Sequence, residues 1–154
     1  MSDELNRIAD ALERLVPAPV GLPDLSKANV FIWNVRPDRI EEVSGFNNVS
    51  LNILRGIDSA KETLLRNTKQ FANGFPANNA LLWGARGMGK SSLVKAVFKK
   101  ISESTNQLKL IEIQREDLSS INRLLDSLKG QHYRFLLFCD DLSFDAQDSS
   151  YKSL

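Results

Sequence analysis

Gly84-Ala85-Arg86-Gly87-Met88-Gly89-Lys90-Ser91 places four residues between a glycine and a Gly-Lys-Ser triplet. The short apolar run Ala80-Leu81-Leu82-Trp83 precedes it, and a helical pattern follows. Strand, glycine turn and helix form the context in which this spacing makes a phosphate-binding loop. Glycines allow backbone angles that turn consecutive N–H groups inward, into a nest for anionic oxygens. The helix opening near Lys90 adds the positive end of its dipole to that nest. In such a loop Lys90 reaches the β- and γ-phosphates of a nucleotide and the Ser91 hydroxyl holds Mg²⁺. Ser92 either supports a phosphate or packs the helix. Arg86 sits at a variable position of the pattern. The plain alternative is an ordinary glycine-rich turn before a helix.

A second acidic feature fits the first. Phe135-Leu136-Leu137-Phe138-Cys139 is strongly apolar and ends in Asp140-Asp141. The carboxyl end of a parallel strand faces the ligand crevice of an α/β sheet, so an acid there can hold Mg²⁺ through water. Asp140 meets that requirement, and Asp141 is placed where a general base could polarise an attacking water. Many strands stop at Asp on reaching solvent, so the acids alone say little. Coming ~50 residues after a phosphate loop, they read as its metal-binding partner. His132 has no metal-ligand spacing and reads as a surface residue, and Cys139 as a small buried hydrophobe.

Positioning these groups takes alternating strands and helices. Leu5, Ile8, Leu12 and Leu15 predict a first helix ending before Pro17, either a docking helix for a protein partner or one folded onto its own domain. Residues 17–50 hold four of the five prolines and read as a linker, with a strand candidate at 30–33 whose Trp33 is expected to pack. Asp58 is expected to cap a helix running to about Asn73. The helix after Ser91 should bury Leu93, Val94, Val97, Phe98 and Ile101, leaving Lys95, Lys99 and Lys100 on a solvated face. Leu108 to Ile113 alternates and predicts a strand. Asp117 should cap a helix striped by Leu118, Ile121, Leu124, Leu125 and Leu128, ended by Gly130. The order implies parallel β–α–β units.

Composition adds bounds. In 154 residues, 42% are hydrophobic and 25% charged, with a net charge of +1. That is an ordinary globular balance, with no global attraction for nucleic acid or an anionic membrane. A lone cysteine excludes an internal disulfide framework, and no apolar run nears the ~18 residues of a spanning helix. With no basic, apolar leader at the start, the expected location is cytoplasmic.

Leu51 to Ile57 with the helix after it, Leu81 to Lys95, and Arg134 to Phe144 together resemble a bacterial family of predicted ATPases, domain of unknown function 815, within the AAA+ superfamily. The resemblance implies ATP as the nucleotide, Mg²⁺ as its metal and hydrolysis coupled to conformational change. It also implies a three-layer α/β/α P-loop core with a parallel sheet. Residues 1–50 would form an N-terminal extension and residues 51–154 the start of the ATPase domain. Gly56-Ile57 is similar to the segment that touches adenine in AAA+ proteins, and a complete member could assemble as a homo-oligomer. Asp140-Asp141 departs from the commoner Asp-Glu and is similar to the Asp-Asp of replication-initiator ATPases.

An AAA+ sheet has the strand order 5-1-4-3-2, and this chain supplies strand patterns for three. The fourth strand with its polar sensor, the arginine finger and the helical lid have no counterpart. The ending at Leu154 reads as a cut through a domain, so the expectation is an N-terminal fragment with near-zero turnover alone. A finger supplied in trans is worth about 10³- to 10⁵-fold. Two other readings are a nucleotide-sensing binding module that hydrolyses nothing and a small-molecule kinase, against which the second acid, Asp141, argues.

Overall fold

The structure, a computed structural model, describes Arg7, residues 21–44 and residues 49–142. The predicted first helix therefore lies outside the described residues, apart from Arg7, which is helical. Strands β1 (Val30–Asn34) and β2 (Arg39–Glu42) come first, then helices α1 (Asp58–Ala72) and α2 (Lys90–Ser102). Strand β3 (Leu108–Ile113), a 3₁₀ turn (Arg115–Ser120), helix α3 (Ile121–Leu128) and strand β4 (Arg134–Cys139) follow. The protein is mixed α/β, with a four-stranded, mostly parallel sheet in the order β2-β1-β3-β4. β1 pairs parallel with β3, and β3 with β4, while β2 returns antiparallel to β1. The arrangement is consistent with an incomplete P-loop-like core.

Side-chain alternation along the strands splits the core in two. Val30, Leu108, Leu110 and Phe138 join Leu64 and Ala72 of α1 and Leu93, Val97, Phe98 and Ile101 of α2. Phe31, Trp33, Ile111 and Ile113 join Leu118 of the 3₁₀ turn and Ile121, Leu124 and Leu128 of α3. Each central strand is thus buried on both faces, which is why β3 is apolar at four of its six positions. Trp33 is wholly buried, and its indole N–H donates to Ser120 Oγ at 2.6 Å. The aromatic is a packing residue, as its position in the sequence led one to expect.

Five expectations change. Asp117 lies inside the 3₁₀ turn, while Ser120 holds the cap position of α3. The proline-containing stretch supplies two strands, and β1 is interior to the sheet rather than part of a linker. The sheet is mixed rather than all parallel, because the β1–β2 hairpin closes locally. Asp58 is the first residue of α1 rather than its cap; Ile57 holds the cap position, and Asp58 instead meets Lys61 Nζ at 3.0 Å. Ala80-Leu81-Leu82-Trp83 forms no strand, with Leu81 and Trp83 strongly exposed. A strand exists only through its neighbours' hydrogen bonds, and no described strand lies beside these residues to supply them. The turn before them is instead pinned to α1. The Asn67 amide both donates to Asn78 O (2.7 Å) and accepts from Asn78 N–H (3.1 Å).

Lys109 is a buried cation in this core, 2% exposed. Its ammonium donates to Ala28 O at 2.9 Å and Asn29 Oδ1 at 2.8 Å, and sits 4.6 Å from the Tyr133 ring centre. Burial lowers its pKa below the ordinary lysine value. Lys109→Met keeps the stem but strands both acceptors, so a loss of about 1–3 kcal/mol is expected in a denaturant titration. Between the lowered folded-state pKa and the unfolded value near 10.4, the unfolded chain binds more protons. The wild type should therefore gain stability relative to Lys109→Met as pH rises through that window.

Candidate functional site

The glycine loop closes onto the start of α2. Gly87 and Gly89 take φ of +83° and +79°, left-handed values that cost other residues strain. Gly89 caps α2, with its carbonyl accepting the Leu93 N–H at 2.8 Å. Among the described residues no side chain caps the helix, so its N-terminal positive field is left to the loop. Ala85, Arg86 and Met88 are exposed around it, and Ser92 is half-buried on the first turn of α2. The Lys90 ammonium donates to Gly84 O at 2.9 Å and Ala85 O at 2.8 Å. A cation thus bridges the first and last parts of the loop and holds its curvature.

The two separate sequence features meet here. Ser91 Oγ donates to Asp140 Oδ1 at 2.7 Å, joining residues 49 apart in the chain. The same carboxylate oxygen accepts the Asp141 N–H at 2.9 Å, which fixes its direction. Both acids are exposed, and Asp141 has a φ of +54° at the turn leaving β4. Asp140 and Ser91 present hard oxygen donors in an open position. Among the described residues, no cluster of three or more His, Cys, Asp or Glu side chains is placed to hold a metal ion. One carboxylate and one hydroxyl are too few protein donors for a caged metal.

Gly56 and Ile57 lie on the turn entering α1. Gly56 has φ +77°, and among the described residues no heavy atom lies within 4 Å of where a Cβ would stand. Ile57 and Leu54 pack against the α1–α2 side of the core. Leu54 Cδ2 lies 3.7 Å from the position a Cβ on Gly89 would take, so this segment runs beside the end of the glycine loop. His132 is exposed. Cys139 is half-buried against the α3 side, and burial, with neighbouring Asp140, raises its thiol pKa.

Lys95 departs from the expected solvated face. It pairs with Glu112 at 3.1 Å and lies over the Phe138 ring. The sequence held no signal for this beyond opposite charges on separate elements. Asn67 was equally silent, because its role depends on where the turn at 76–78 passes. Leu125, read as part of the α3 stripe, is exposed.

The profile of a family described as "Protein of unknown function (DUF815)" matches residues 26–154. No curated protein and no solved structure matches the chain.

Proposed function

The chain belongs to the DUF815 family, and from that premise and the site geometry we propose that it binds ATP with Mg²⁺ through an AAA+-type phosphate loop. The observation that carries this reading is the 2.7 Å contact between Ser91 Oγ and Asp140 Oδ1. It pairs a loop hydroxyl with a strand-end carboxylate, two oxygen donors of the kind a phosphate-bound metal takes, and so supports the reading. The proposed fold is correspondingly the three-layer core of that superfamily, with β4 as the metal-binding strand.

In this reading the loop's N–H groups and the helix dipole receive the phosphates, and Lys90 adds a point charge beside them. Ser91 and Asp140 would hold the metal, whose contribution when bound is to neutralise charge on the β- and γ-oxygens. Asp141, one residue on, would orient and deprotonate the attacking water, giving ADP and phosphate. Gly56 and Ile57, beside the loop's end, would contact the base. The work of the complete family would be hydrolysis coupled to a change of shape.

Asp140→Asn tests the reading without disturbing the fold, since asparagine keeps an oxygen that can accept from Ser91 and Asp141. Titrating a fluorescent ATP analogue with and without Mg²⁺ should show a Mg²⁺-dependent gain in affinity for the wild type. The variant should lose about tenfold of that gain. A wild type that binds no nucleotide would reject the proposal. A phosphate-release assay on the same sample separates hydrolysis from binding alone.

A further inference from the structure

The seam between α2 and β4 carries a second contact beside the one at the loop. Ser91 and Lys95 are four residues apart on α2, so they share a helix face roughly 6 Å apart. Phe138 is near the end of β4 and Asp140 one residue beyond it, two apart, the spacing that returns an extended chain to the same face after roughly 6.6 Å. The two spacings match, so the residues meet in pairs. Ser91 Oγ reaches Asp140 at 2.7 Å. One step along, the Lys95 ammonium stands 5.8 Å from the Phe138 ring centre. It is also 3.1 Å from one Glu112 carboxylate oxygen and 3.4 Å from the other. Glu112 is the register partner of Phe138 across β3 and β4. Lys95 therefore grips a cross-strand pair, and it does so partly shielded from water, with side chains 26% and 22% exposed.

We infer that Lys95 is a positioning residue for the metal-binding pair, a clamp that sets α2 in register with β4 so that Ser91 meets Asp140. The inference rests on the nucleotide and Mg²⁺ reading above for its consequence, and on the seam geometry for its existence. A helix held at one contact can slide or tilt along a strand; two contacts a turn apart fix both motions. Register matters here because Mg²⁺ requires near-octahedral oxygen placement, and ligand distances must hold to within about 0.2 Å. Arginine at this position would keep a cation over the ring and beside the carboxylate.

The test has a ligand-free arm and a ligand arm. In the ligand-free chain, thermal melts are compared for wild type, Ser91→Ala, Lys95→Met and the double variant. A clamp predicts that the double variant loses less melting temperature than the sum of the singles, because loosening the seam already weakens the Ser91–Asp140 contact. Simple additivity overturns the inference. In the ligand arm, a fluorescent ATP analogue is titrated at fixed protein while Mg²⁺ is varied. Lys95→Met should raise the half-saturating Mg²⁺ about tenfold, the lower end of the effect of partners supporting metal ligands. Affinity in EDTA should stay within about twofold, and Lys95→Arg should restore the Mg²⁺ midpoint. An unchanged midpoint, or an equal fall in EDTA, overturns the clamp. If the wild type binds no nucleotide, the function proposed above fails, and the melting cycle alone decides the clamp.

Discussion

Lys90→Ala is expected to lower nucleotide affinity about 100-fold or more in a fluorescent-nucleotide titration, while the melting temperature moves little. The two halves of this expectation come from different contacts. In the nucleotide-bound state proposed here, the ammonium donates to phosphate oxygens. Hydrogen bonds to charged groups contribute about 1.5–3 kcal/mol each, so losing two costs at least about 3 kcal/mol. At 1.4 kcal/mol per factor of ten, that is about two orders of magnitude. In the structure the same ammonium donates to Gly84 O and Ala85 O. Both residues are exposed, so water replaces the lost donor at little cost. Unchanged nucleotide binding in this variant would discard the phosphate-loop assignment.

Trp33→Ala should be the most damaging substitution for stability, with a loss of about 3–5 kcal/mol in a denaturant titration. The indole is wholly buried between the β1 face and the 3₁₀ turn with α3. Its removal opens a cavity in a core that relaxes only partly. It also breaks a relay, because Ser120 Oγ accepts from the indole at 2.6 Å and donates to Asp117 O at 2.6 Å. Against the 5–15 kcal/mol typical of a folded domain the loss is severe, and a fall in melting temperature of about 10 °C or more is expected. Trp33→Phe should cost much less, because it keeps most of the apolar volume and gives up one hydrogen bond. Equal effects from the two variants would show that the hydrogen bond, rather than packing, dominates at this position.

Local patterns read well wherever local physics decided the outcome. The α2 stripe from Leu93 to Ile101 and the alternation of Leu108 to Ile113 reflect periodicities of 3.6 and 2 that any buried helix or strand must show. β1 and β2 were harder, because a proline-containing stretch with one short apolar run carries no mark of the neighbour it will find. Phe31 and Trp33 became interior only because β3 lies beside them, through pairings of residues some 80 positions apart. Ala80 to Trp83 failed in the opposite sense. Its apolar character suits a buried strand, yet strand formation is settled by the partner's hydrogen bonds and not by the run itself.

By itself the sequence determined the chemistry on offer. A glycine loop ending in Lys90 and Ser91, and an apolar strand ending in Asp140 and Asp141, are local facts that residue type and spacing express fully. Membership of the family follows from the same sequence, over residues 26–154. Only the tertiary structure decided that Ser91 and Asp140 touch and that Lys95 leaves solvent to grip Glu112 and Phe138. It alone decided that the N-terminal hairpin joins the sheet and that the stretch before the loop stays outside it. The reason is common to all four. Each depends on which element packs beside which, and that is chosen by the sum of burial over the whole sheet, a quantity no single stretch of chain encodes.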